Sequence, residues 1–327
     1  MSEFLTIGEP MVVLASQNID SDLTDIDYFK KSLAGAELNV AVGVSRLGHS
    51  AQYISAVGED PFGKYIQKAI KNNNINTDYL VKDADRWTGF YLKQSVSHGD
   101  PNLYYYRKNS AAANLNPSII EKINLEKTKI AHLSGIFAAL SASDLISYKK
   151  LNQRLLEKHV LITFDPNLRP ALWNNQAEMI KVTNEIAKSA NIILPGIDEG
   201  EILVGSNKPE EIADFYLGQS QITSTVVVKL GPNGAFVKNK EGANFRINGF
   251  NVDNVVDTVG AGDGFAVGLI SSLLEGKPMK EAVEIACAIG ALAVQNPGDS
   301  DGYPSQEQLV KFLSLNRHIR RNNDYNS

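Results

Sequence analysis

The chain has 327 residues, is 43% hydrophobic and carries a formal charge of −5. That is ample for one large α/β core, and the acidic balance argues against a general nucleic-acid surface while leaving room for a local cationic pocket. One cysteine, Cys287, excludes an intrachain disulfide framework, and the five histidines show no metal-ligand spacing.

Phe4 to Gly8 reads as a first strand, with Leu5 and Ile7 alternating about Thr6, and Met11 to Ala15 continues as strand. The opening Met1-Ser2-Glu3-Phe4 lacks a basic region before an apolar core, and no run approaches bilayer length. The expectation is a cytoplasmic protein with no membrane or nucleic-acid partner. Asp20 to Lys31 is polar and reads as loop. Glu37 to Leu47 reads as a helix closed by Gly48, Gln52 to Val57 as a strand and Phe62 to Asn72 as a helix. This alternation marks a parallel sheet.

The rhythm breaks between about Trp87 and Ala113. Thr88 to Val96 and Leu103 to Arg107 are β-type runs around a polar loop, with no helix between them. They read as a hairpin that leaves the main sheet and forms a flap with residues around 11 to 33. The alternation then resumes: strand Ile130–Leu133, helix Ser143–Lys158, strand Val160–Phe164, helix Gln176–Ala187, strand Ile192–Leu194, helix Asp198–Val204 and strand Thr225–Leu230. A small hairpin begins at Ala235 to Lys238. Short apolar runs at Phe245 to Ile247, Val252 and Val255-Val256 read as strand before a buried helix over Phe265 to Leu274. One domain therefore covers residues 1–315, with lid strands from about 11–33 and 87–113 inserted. A basic, frayed tail covers 316–327.

Between the last strand and that buried helix lies Asp257-Thr258-Val259-Gly260-Ala261-Gly262-Asp263-Gly264. Its glycines let the backbone turn tightly, and the first helix amides lack intrahelical partners, so the turn suits an anion such as phosphate. The spacing is neither the Gly-x-Gly-x-x-Gly of dinucleotide folds nor a P-loop. Asp263 either caps the helix or sits beside a bound phosphate and orients an attacking hydroxyl. Other candidates also follow strand ends, where open α/β sheets bind ligands. Tyr104-Tyr105-Tyr106-Arg107 places Tyr105 and Arg107 on one strand face, as an aromatic flap or as a carboxylate-binding pair. Arg169 is a second cation or a loop ion pair. Asn39 reads hydroxyls or caps its helix. Glu199 binds magnesium through water or is a surface acid. Lys229 closes a strand before a glycine-bearing turn and suits a nucleotide phosphate. Asp299 is a site residue or a turn residue.

Together these residues resemble the PfkB/ribokinase family of carbohydrate kinases, from residue 4 to about 314. The resemblance rests on Asp257 through Ile270, on Ala34 to Ala41 with Arg46-Leu47-Gly48, and on Val57 to Gly63. It implies an α/β, ribokinase-like three-layer fold, with a mainly parallel central sheet flanked by helices and a small β lid. Within the family, Thr88-Gly89-Phe90-Tyr91, Tyr105-Tyr106-Arg107 and Asp165-Pro166-Asn167-Leu168-Arg169 are most similar to 2-keto-3-deoxygluconate kinases. Arg169 does not discriminate, because fructokinase-like members share Asp-Pro-Asn-Leu-Arg. The resemblance implies phosphorylation of the C6 hydroxyl of that sugar acid by ATP with magnesium; a fructokinase or ribokinase, or a non-catalytic sugar- or nucleotide-binding regulator, are the alternatives. It implies Asp263 as base and Gly260, Ala261 and Gly262 as an anion hole. Sugar contacts fall to Gly35, Ala36, Glu37, Leu38, Asn39, Tyr91, Tyr105, Tyr106, Arg107, Arg169 and Asp299. Nucleotide contacts fall to Asn167, Leu168, Arg169, Lys229, Gly231, Gly234 and the anion hole. Gly196 stands where the family often has asparagine, leaving Glu199 at the magnesium. A monovalent cation near Asp253 and Asp257 and a homo-oligomer, dimer or higher, complete the expectation.

Overall fold

The computed structural model describes residues 2–324 except Asp100 and Asp253, with side chains as far as residue 316. In chain order the elements are β1 (Phe4–Ile7), β2 (Met11–Ser16), β3 (Phe29–Ala34), α1 (Ala36–Arg46), β4 (Ala51–Gly58), α2 (Pro61–Asn72), β5 (Leu80–Asp83), β6 (Phe90–Lys93) and β7 (Leu103–Tyr106). There follow β8 (Ile130–Ser134), α3 (Gly135–Leu140), α4 (Ala142–Glu157), β9 (Leu161–Asp165), α5 (Gln176–Ala187), β10 (Ile192–Ile193), α6 (Ile197–Val204), α7 (Pro209–Gly218) and β11 (Thr225–Lys229). The last are β12 (Ala235–Asn239), β13 (Asn244–Ile247), α8 (Ala261–Leu274), α9 (Met279–Ala293) and α10 (Gln306–Asp324).

Period-two alternation in the strands sends apolar side chains to both faces of the main sheet. Phe4, Tyr53 and Val227 pack on one face with residues of α1, α8 and α9. Leu5, Ile54, Val226 and Val228 pack on the other with Tyr148, Ile186 and Ile212 from α4, α5 and α7. Among the described residues nine strands form this sheet in the order β13-β12-β11-β10-β9-β8-β1-β4-β5. The pairs β11–β12 and β12–β13 are antiparallel and the others parallel. The carboxyl ends of the parallel strands therefore share one edge of the sheet. Helix α8 is apolar along its length, as the sequence requires of a segment buried from Gly264 to Ser272.

A second sheet, in the order β3-β2-β6-β7, forms the lid. Strand β6 runs parallel to β2, whereas β2–β3 and β6–β7 are antiparallel. The expected α/β fold with a β lid is the one found.

Some local expectations need correction. Phe29–Ala34 is a strand, not loop: its lysines, Lys30 and Lys31, are exposed on an edge of the lid, where charge rather than apolar alternation is the rule. Conversely, Val252, Val255 and Val256 are not strand. Val255 and Val256 are exposed, and the amide of Val256 donates to the Val294 carbonyl at 2.7 Å. Strand β5 and helices α3 and α7 are additional; α7 opens on Pro209-Glu210-Glu211, a helix-start pattern. The basic segment from Arg317 continues α10 as far as Asp324, and residues 325–327 lie outside the described residues. No helix among the described residues is long and apolar enough to cross a membrane.

Candidate functional site

The carboxyl ends of β1, β9, β10 and β11 open into a cavity of about 510 Å³, with lid residues Tyr91, Leu103, Tyr105 and Arg107 on its far wall. That volume suits a small polar ligand. The floor is the turn before α8. Gly260 has φ +83°, and a Cβ there would lie 2.0 Å from the Asp299 carbonyl oxygen, so both conformation and space select glycine. The amide of Ala261 donates to the Thr258 carbonyl at 3.3 Å, and that of Gly264 donates to Gly260 at 2.8 Å. Among the described residues the amides of Gly260, Gly262 and Asp263 have no acceptor. These unpaired donors, at the positive end of a 14-residue helix, fit an anion. The fit extends to Lys229, whose Nζ would lie 3.7 Å from a Cβ on Gly262.

Asp263 is the third residue of α8, and its carboxylate accepts from Asn39 Nδ2 at 2.9 Å rather than capping the helix. Its pKa is pushed up to about 7, first by burial, against the Asn39 hydrogen bond, with Asp165 and Asp299 adding and Arg169 opposing. Asn39 is itself buried, and its Oδ1 has no hydrogen-bond partner. The residue lines the cavity beside Asp263. Gly35 precedes α1 with φ +129°, where a Cβ would come 2.5 Å from the Glu9 carbonyl.

Across the floor Lys229 Nζ pairs with Asp165 Oδ2 at 2.5 Å. Burial alone would lower the Lys229 pKa, but Asp165 and Glu199 raise it on balance. Glu199 is not a surface acid. Its two oxygens accept from the amides of Leu168 at 2.9 Å and Gly196 at 2.7 Å, and burial raises its pKa against the pull of Lys229. Glu199 lines the cavity with only one amide on each carboxylate oxygen, so the carboxylate fits a hydrated magnesium ion carried on a nucleotide. Among the described residues no group of three acids, histidines or cysteines is placed to hold a metal by itself.

Tyr105 and Arg107 meet as the strand pattern implies, with the guanidinium 5.6 Å from the ring centroid. Arg107 is nevertheless not free. Its Nε donates to Glu9 Oε2 at 2.6 Å, and Nη2 lies 2.5 Å from the same oxygen, close for charge but bent for a hydrogen bond. Ser110 donates to the other Glu9 oxygen. Arg169, exposed, donates only to its own neighbour's carbonyl, Leu168 O, at 2.8 Å among the described residues. Tyr91 donates to Asp299 at 3.3 Å, and burial pushes the Asp299 pKa up to about 6 against the field of Lys93. Asp257, expected beside a monovalent cation, is paired with Lys93 of the lid; Asp253 lies outside the described residues.

The cavity gathers Gly35, Ala36, Glu37, Asn39, Tyr91, Tyr105, Arg107, Asn167, Arg169, Glu199, Lys229, Gly260, Gly262, Asp263 and Asp299 of the expected set. Six others stand outside its wall. Leu38 is in the apolar core, and Tyr106 stacks on Phe90 on the opposite lid face. Ala261 and Leu168 present backbone to neighbours, and Gly231 and Gly234 close the turn between β11 and β12. The sequence reading missed Glu9 and Lys93. Lys93 is a lone charge ending an apolar strand and Glu9 one in the short link between β1 and β2, a signal that only a buried partner makes legible.

The model of the pfkB family of carbohydrate kinases matches residues 1–306. A 2-dehydro-3-deoxygluconokinase from Bacillus subtilis (strain 168) is 43% identical over 324 residues, 98% of each chain. A 5-dehydro-2-deoxygluconokinase from Listeria innocua serovar 6a is 27% identical, covering 95% of this chain and 96% of its own. A solved structure of an uncharacterised sugar kinase from Pyrococcus horikoshii in complex with ATP matches with TM-score 0.80 at 31% identity, over 94% of this chain and 97% of that one.

Proposed function

This chain belongs to the pfkB family of carbohydrate kinases, and we propose that it transfers the γ-phosphoryl group of ATP to the C6 hydroxyl of 2-keto-3-deoxygluconate (2-dehydro-3-deoxygluconate). The observation that carries the reading is a carboxyl group beside unpaired amides, Asp263 at the turn 260–263, facing a wall with two arginines. The 43% identity to a 2-dehydro-3-deoxygluconokinase over nearly the whole chain favours this sugar acid over its 5-dehydro isomer.

Phosphoryl transfer asks the protein for positioning and for charge on the phosphates. The amides of Gly260, Gly262 and Asp263, with Lys229, stabilise charge on the migrating group. Asp263 accepts the C6 hydroxyl proton as the bond to phosphorus forms, and Asn39 aims its carboxylate. Glu199 would hold, through water, a magnesium ion bound with ATP, which would supply positive charge for the phosphates. Arg169 takes the sugar carboxylate, and Arg107, half neutralised by Glu9, supplies a second donor edge. Tyr91, Tyr105 and Asp299 hold the hydroxyls.

The test is a panel of 2-keto-3-deoxygluconate, 5-dehydro-2-deoxygluconate, fructose and ribose with MgATP. The keto-deoxy acid should show the highest kcat/KM, and Arg169→Ala should raise its KM about tenfold or more, the loss of a charge-assisted contact. Preferred turnover of fructose or ribose over the keto-deoxy acid would assign a neutral-sugar kinase instead.

A further inference from the structure

Tyr91 and Lys93 are two residues apart on β6 and so project from the same lid face. Both cross to the C-terminal loops: Tyr91 to Asp299, and Lys93 to Asp257. The second contact is buried, with 11% of the lysine side chain and 9% of the aspartate side chain exposed. Asp257 is already committed to the backbone. Its Oδ1 accepts from Val259 at 3.1 Å, and its Oδ2 lies 3.5 Å from the Gly298 amide. Its own amide and that of Val256 share the Val294 carbonyl at 3.2 and 2.7 Å. The carboxylate therefore clamps two segments. One runs through Thr258 and Val259 into Gly260; the other runs into Asp299, whose carbonyl packs closely against Gly260. A carboxylate this buried needs a cation, and the cation here is a lysine from the lid.

We infer that Lys93 is a positioning residue for phosphoryl transfer: its ammonium serves Asp257 as a built-in cation and ties the lid to the phosphate-binding turn. The lid then does more than cover the sugar. Seating β6 over the cavity completes the charge balance that holds the amides of Gly260 and Gly262 toward the phosphate. A free monovalent ion at Asp257 is replaced by a tethered one. The inference rests on the kinase reading.

The experiment uses the full chain as Lys93→Met, Asp257→Asn and the double variant, assayed with MgATP and the best acceptor of the wild type. Lys93→Met should lower kcat by roughly 10- to 100-fold, the scale of lost alignment at a reacting centre. Potassium or ammonium ions at constant ionic strength should restore several-fold of that loss, whereas wild type ignores both. The double variant should be no worse than the worse single variant, because the two residues act as one unit. Lys93→Met within twofold of wild type, additive losses without ionic rescue, or a wild type that itself requires potassium each overturn the inference. The last readout stands even where the variant fails to fold. A wild type inactive on every sugar counts against the kinase reading only. Calorimetry of ATP binding then decides here: about tenfold weaker binding by Lys93→Met, relieved by ammonium, is expected, and unchanged binding overturns it.

Discussion

At residue 263 the fold holds a carboxyl group that an ordinary aspartate, titrating near 3.9, would leave a feeble base. Raised to about 7 by burial, it gains basicity while still ionising at neutral pH. The expected consequence is a kcat/KM for the acceptor sugar that climbs with pH through a midpoint near 7. A flat profile between pH 5 and 8 contradicts it. The same shift has a sign in stability. The native carboxyl binds its proton more tightly than the unfolded one, so its contribution falls as pH rises from about 3.8 to about 7. Asp263→Asn should therefore gain on wild type at pH 8 compared with pH 4, read by denaturant titration. At the lid end, removing Arg107 strands the Glu9 carboxylate, which is shielded from solvent. Arg107→Ala should cost roughly 3–5 kcal/mol, and Glu9→Gln/Arg107→Met should recover much of it. Asp263 was legible because glycines and an acid stand together at the start of a long apolar helix. Glu9 was not, because nothing local says that a glutamate 98 positions before an arginine will share its pocket.

Among the elements, α8 and its turn were the most legible. A long apolar run preceded by Gly-x-Gly reads as a buried helix with an open amino end, and nothing in the fold competes with it. Gly260→Ala tests the turn itself. It forces a side chain into a left-handed residue and against the Asp299 carbonyl, so a loss of about 1–3 kcal/mol in stability, with kcat falling further than sugar affinity, is the expected outcome. The lid was legible as a break in the alternation of strands and helices, but its edge strand β3 was not. Period-two apolar alternation identifies half-buried strands, and β3 carries lysines outward at the rim of a thin sheet. Val255 and Val256 err the other way: two β-branched residues look like strand, yet they lie exposed in a loop held by one carbonyl.

For the whole molecule, the sheet order brings together groups that lie far apart in sequence: Asn39 from α1, Asp165 at the end of β9, Lys229 at the end of β11 and Asp263 on α8. Parallel connections put every one of these strand ends on the same edge, which is why the strand-end residues converge without any local motif linking them. What the order of elements leaves open is how the charges within the cavity pair. Acids outnumber cations there, and pairing decides which arginine remains for a sugar carboxylate. The most direct measurement is therefore single-site: phosphorylation of 2-keto-3-deoxygluconate by MgATP, followed by phosphorus NMR of the product, for the wild type and Asp263→Asn. The expected result is a 6-phosphate ester from the wild type and a kcat lower by about 10²–10⁴ in the variant, with ATP still bound. An Asp263→Asn enzyme turning over within threefold of wild type, or a phosphate placed on another hydroxyl, would contradict the account.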